Sequence, residues 1–165
     1  MMDRRGQVSA EFLILFGVLI LIVMLAVVFV AGEHELDIAM AAARNGAIEG
    51  AGSSAAAIYP KDTYRDYSAS KTSLLYPYSV NIVKVDYTDM GHDINYDKKR
   101  IQFKVYAKTS GRFSSDELVS IGDRINYNLR KSLAVSFNST SSTNKLYNPV
   151  FSSHYVYTTA NVKWI

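Results

Sequence analysis

The chain has 165 residues, 48% of them hydrophobic, a formal net charge of +3 and no cysteine. That length holds one modest domain plus one membrane segment and excludes a second large domain. Eighteen Lys and Arg scattered among fifteen acids form no basic stripe, so nucleic acid is not expected as a partner; without thiols there are no disulfides, thiolate metal sites or cysteine nucleophiles.

Residues 12–31 read FLILFGVLILIVMLAVVFVA, twenty positions without a charge, sixteen of them Leu, Ile, Val or Phe. As a helix this run spans about 30 Å, the hydrocarbon thickness of a bilayer, and its insertion is favoured by about 5 to 10 kcal/mol. Arg4 and Arg5 precede it, while Glu33, Glu35 and Asp37 follow. The positive-inside bias therefore predicts a cytoplasmic N-terminus with the rest of the chain outside. A secretory signal has a shorter apolar core that ends in small residues at its cut site; Val30-Ala31-Gly32 imitates such a site, but the run is too long and no composition break follows it. A plain signal anchor fits the hydropathy better.

Glu11 stands directly before the apolar run. A carboxylate costs about 2.5 to 3.5 kcal/mol at the centre of a membrane helix and less near the interface, so a simple anchor gains nothing from it. An interfacial first-turn acid near the positive end of the helix dipole is the plainer reading. The order Gly6-Gln7-Val8-Ser9-Ala10-Glu11-Phe12-Leu13, after a basic pair and before an apolar run, resembles the class III signal peptide of archaeal type IV pilins. That pattern has Gln, Ser and Glu at the first, third and fifth places after the cleaved bond, filled here by Gln7, Ser9 and Glu11. The resemblance covers about 25 residues, and it implies that a prepilin peptidase cuts between Gly6 and Gln7 on the cytoplasmic side and leaves the apolar helix on the mature protein. The new α-amino group is positively charged near neutral pH, and Glu11 of an adjoining subunit can neutralise it as helices stack with an axial offset. Gly17 is either a point of close helix approach or an ordinary membrane-helix glycine.

The helical pattern continues through Leu36, Met40, Ala43, Ala47, Gly50, Ser54 and Ala57, a narrow seam of mostly small residues. It predicts one long helix over residues 7–58, after a cleaved leader at 1–6, with residues 12–31 as the membrane or filament-core segment. Gly46, Gly50 and Gly52 each cost about 1 kcal/mol relative to Ala in a helix, which predicts fraying or a bend there. Tyr59-Pro60 ends the element, and residues 59–165 are expected to form an extracellular globular domain.

Residues 61–79 are polar and tyrosine-rich without a sustained period, a surface connection with a second stop at Pro77. Strands are predicted next, over residues 80–88 and where Ile101, Phe103, Val105 and Ala107 alternate with Gln102, Lys104, Tyr106 and Lys108. Ser114-Ser115-Asp116-Glu117 is a capping box that opens a helix striped with Leu118, Ile121, Ile125, Leu129 and Leu133. A closing strand is expected over residues 155–164, with Val156, Thr158, Ala160, Val162 and Trp164 on one side. The fold class is therefore α+β: a long N-terminal helix, then an antiparallel-sheet domain with one covering helix.

Motifs for chemistry are sparse. His34, His92 and His154 have no metalloprotease spacing, and neither a phosphate loop nor a nucleophile elbow is present, so no enzyme, metal or cofactor is expected. Asp93-Ile94-Asn95-Tyr96-Asp97 imitates the start of a calcium loop, but Lys98 and Lys104 stand at its sixth and twelfth positions; a hairpin tip fits better. Asn138-Ser139-Thr140 is a glycosylation sequon in a polar stretch expected outside the cell. The twelve tyrosines suit either an adhesive, sugar-stacking surface or ordinary structural use.

Three functions follow. The first is a structural subunit, major or minor, of a pilus-like surface filament, its partners being copies of itself or other pilins, the membrane before assembly, prepilin peptidase and the assembly machinery. The second is a single-pass anchored binding or adhesion protein that does not polymerise. The third is an exported enzyme with an unrecognised site.

Overall fold

A computed structural model describes residues 4–52, with side chains from residue 10 onward, and residues 80–110 and 113–165. In chain order the elements are α1 (Arg4–Gly52), β1 (Val80–Asp93), β2 (Lys98–Thr109), α2 (Ser115–Ser136), a 3-10 turn (Thr140–Ser142), β3 (Val150–Phe151), β4 (Tyr155–Thr159) and β5 (Lys163–Trp164). The architecture is α+β, as the periodicities predict. Two compact units meet at Leu36 and Asp37, inside α1. The expected boundary at 58/59, the helical stretch 53–58, the polar connection at 61–79 and the stop at Pro77 lie outside the described residues.

In the first unit every described residue from Ala10 to Ala31 is exposed: the apolar side chains cover the whole circumference of the helix, and none of the described residues buries them. Among the described residues this is one helix long and apolar enough to cross a membrane.

In the second unit α1 changes character. Ala39, Ala42, Ala43, Gly46, Ala47, Gly50 and Ala51 are buried at alternating steps of three and one, one continuous face of the helix. Of the expected seam, Ala43, Ala47 and Gly50 are buried and Leu36 and Met40 half-buried, while Ser54 and Ala57 lie outside the described residues. Gly46 and Gly50 do not fray the helix, which runs on to Gly52; they let it touch α2. A Cβ on Gly46 would stand 2.5 Å from the Asn128 carbonyl oxygen and 2.8 Å from the Leu129 Cα, and one on Gly50 2.8 Å from the Ile125 Cα. Because the earlier glycine meets the later α2 residues, the two helices run antiparallel.

The capping box is realised. Ser114 is the N-cap of α2 and accepts from the Glu117 N–H at 3.3 Å, while the Glu117 carboxylate accepts from the Ser114 N–H at 2.8 Å. Ile121, Ile125, Leu129 and Leu133 of α2 are buried, as are Ile101, Phe103, Val105 and Ala107 of β2, whose alternation the sequence predicts.

The sheet order is β1-β2-β4-β3, with β5 also on β2. The β1–β2 and β3–β4 pairs are antiparallel. β4 and β5 instead lie parallel to β2, since the chain crosses over through α2 before returning, so the sheet is mixed. The expected closing strand is two pieces along one edge of β2, joined by hydrogen bonds from the Ala160 N–H to the Phe103 oxygen and from the Ile165 N–H to the Ala107 oxygen. Its inward face also differs from expectation. Register places Tyr157 beside Ile101, so Tyr157 fills the core with Phe103 and Phe137, at ring separations of 5.9 and 5.4 Å, and Thr158 falls beside Gln102 on the other face. Val156 is nevertheless fully buried, paired with Phe151 of β3.

Candidate functional site

Arg4, Arg5, Gly6, Gln7 and Ser9 occupy the first turns of α1. Positions 7 and 11 stand one helical turn apart, and Glu11 is exposed where the apolar circumference begins. Phe12 and Phe16 stack directly after it, rings 6.2 Å apart and 10° from parallel. Burial of each such side chain is worth about 1.5 to 3 kcal/mol, so the exposed segment carries a large driving force toward lipid or toward like helices. A Cβ added at Gly17 would meet nothing within 4 Å among the described residues. Where lipid-facing helices pair, small residues let their backbones approach.

Asn138 is exposed and directly follows the C-cap Phe137 of α2. Its φ is 49°, its N–H donates to the Val135 oxygen at 3.1 Å, and the Ser139 N–H donates to the Ala134 oxygen at 2.8 Å. This is the Schellman closure of a helix, with asparagine in the left-handed place usually held by glycine. The sequon is thus presented at a helix end, with Thr140 exposed and Ser139 buried.

The remaining polar motifs have structural duties. Asp93 is buried at the hairpin tip, ion-paired to Arg100, and accepts from the Asn95 N–H at 3.0 Å. His92 Nε2 lies 3.2 Å from Asp97, while His154 packs beside Tyr155 with ring centroids 6.5 Å apart. His34 stands on α1, His92 on β1 and His154 in the bend between β3 and β4. Among the described residues no group of three or more His, Asp or Glu could hold a metal ion. Tyr127, Tyr155 and Tyr157 are buried, whereas Tyr87 and Tyr96 are about 40% exposed, so the tyrosines serve both core and surface.

A groove of about 230 Å³ runs between α2 and β5, lined by Leu118, Val119, Asp123, Asn126 and Trp164. Burial pushes the Asp123 carboxyl up against the opposing pull of Arg130, and Asn126 donates to the Ala160 oxygen at 3.0 Å.

Sequence reasoning missed a basic cluster around Tyr106. Lys84, Lys104 and Lys163 place their ammonium groups 4.6, 5.7 and 5.8 Å from its ring centroid. The alternation of β2 marks Lys104 and Tyr106 as outward; their neighbours on β1 and β5 come from register, which a single sequence does not display.

Comparison with curated proteins and with solved structures gives no match. A family model described as Class III signal peptide matches residues 4–30, the basic pair, the Gln-Ser-Glu places and the apolar helix together. The match and the helix support a type IV pilin-like protein that is processed by prepilin peptidase, served by pilin assembly machinery and anchored in the membrane before assembly.

Proposed function

We propose that this chain is a structural subunit, major or minor, of an archaeal type IV pilus-like surface filament. Prepilin peptidase cuts between Gly6 and Gln7 while Arg4 and Arg5 hold the N-terminus in the cytoplasm. The apolar helix then exchanges lipid for sister helices, and the head faces the exterior. Gln7 and Ser9 belong to the processing motif; Glu11 sets register by pairing with the new α-amino group of a neighbouring subunit. The observation that carries this reading is the fully exposed apolar circumference of α1 with Glu11 at its start, inside the matched segment. The head serves as structure or adhesive surface rather than as a catalyst.

Mass spectrometry of the native N-terminus tests processing: a chain beginning at Gln7 is expected, and one retaining Arg4 and Arg5, or trimmed after Gly32, overturns the reading. Glu11→Gln should leave membrane insertion intact and abolish filament incorporation. Incorporation of Glu11→Gln at the wild-type level would overturn the register role of Glu11, and absence of the wild-type chain from any filament would favour a non-polymerising anchor instead. Intact mass also reads any glycan on Asn138.

A further inference from the structure

The outward sheet face gathers Lys84 and Asp86 of β1, Lys104 and Tyr106 of β2 and Lys163 of β5. Register sets Lys84 and Lys163 beside Tyr106 from opposite edges and Asp86 beside Lys104. Asp86 binds Lys84 at 3.0 Å, which holds the Asp86 carboxyl below and the Lys84 ammonium above their usual ranges. Three ammonium groups against one carboxylate leave an excess of two positive charges, and a ring quadrupole attracts cations without neutralising them. Among the described residues neither Lys104 nor Lys163 forms an ion pair.

The chain carries an opposite excess on α1. Glu33 and Asp37 are exposed one turn apart on the same helix face, a like-charged pair that destabilises an isolated helix. Neither forms an ion pair among the described residues. The two clusters are opposite in sign: two carboxylates stand one turn apart on α1, and both unpaired ammonium groups gather around one ring, 5.7 and 5.8 Å from its centroid.

We infer that the Lys104–Tyr106–Lys163 face docks on the Glu33–Asp37 turn of a second copy of this chain. The inference rests on the filament reading for its setting and adds a specific lateral contact to it. Each cluster lacks a counter-charge among the described residues and finds one in the neighbour, so the contact is specific in sign and weakened by salt.

The absence of native cysteines allows a direct test. Full-length chains carrying Lys104→Cys alone and Asp37→Cys alone are co-expressed in cells with the assembly machinery and treated with a short bis-maleimide. A covalent heterodimer at least about tenfold above that of an Asp123→Cys and Asp37→Cys control pair is expected; a yield equal to the control overturns the contact. In chains without added cysteine, Lys104→Glu should lower the mass of surface filaments about tenfold, and Asp37→Lys in the same chain should restore it. Unchanged filaments with Lys104→Glu, or a loss that Asp37→Lys does not repair, also overturn it. Electron microscopy of wild-type cells reads the filament proposal separately: cross-linking without fibres supports the contact and counts against the filament.

Discussion

Gly46 of α1 and Asn128 of α2 meet backbone to backbone, with 2.5 Å between an added Cβ and the Asn128 carbonyl oxygen. Neither helix can retreat cheaply, since α1 also rests Gly50 on Ile125, and Ile121, Ile125, Leu129 and Leu133 of α2 are buried. Gly46→Ala should therefore cost about 1 to 3 kcal/mol through overpacking, although alanine is the better helix former. Gly52→Ala should gain up to about 1 kcal/mol, because among the described residues nothing lies within 4 Å of an added Cβ. Thermal unfolding of the two variants should move Tm in opposite directions; a shift of the same sign in both would refute the close-packing account.

Ser114→Ala removes the side-chain acceptor for the Glu117 N–H. Urea unfolding should show a loss of about 1 kcal/mol. Glu117→Ala breaks the reciprocal bond to the Ser114 N–H, and the double variant should lose less than the sum of the two, because both bonds belong to one box.

Asn138 holds a left-handed conformation that costs a non-glycine residue about 1 to 2 kcal/mol, less for asparagine. Asn138→Gly should leave the helix end intact or stabilise it while removing the glycosylation acceptor, whereas Asn138→Gln removes the acceptor and lowers Tm. Intact mass and calorimetry of both variants separate glycan from cap. A glycan elsewhere would appear as a mass increment that survives both substitutions.

The pH response of the head contains two carboxylates of opposite sign. The Lys99 ammonium at 2.7 Å and the Gly91 N–H at 2.9 Å hold Asp89 below the usual carboxylate range. Its contribution is present above the ordinary pKa of about 3.9 and is lost as pH falls through the lower folded value. Asp123 is pushed up by burial, so its contribution is present below about pH 3.9 and is lost as pH rises through the higher folded value. Asp89→Asn should flatten the acid limb of a stability curve. Asp123→Asn should raise stability at neutral pH by less than about 1 kcal/mol and change nothing at pH 3. Urea midpoints across pH 3 to 7 check both.

Much of this fold was legible locally. The Ser114 and Glu117 pair marked the start of α2 to the residue, and the alternation from Ile101 to Ala107 named the inward face of β2, because both signals lie within a few residues of each other. The apolar run and Glu11 likewise identify the segment that the signal-peptide family matches. What was not legible depends on partners distant in the chain. The choice of Tyr157 for the core follows from parallel register with β2, and Gly46 reads as a helix weakener until Asn128 is seen against it. The cluster around Tyr106 draws on three strands, so no window of sequence contains it.

The touch between α1 and α2 is specified by atoms that are missing. Glycine is the smallest residue, so every one-step change at Gly46 or Gly50 adds volume to a place with no room for it, and no drift can run toward a smaller residue. These two sites should act as evolutionary ratchets: any substitution at the crossing must be answered by the helix that faces it.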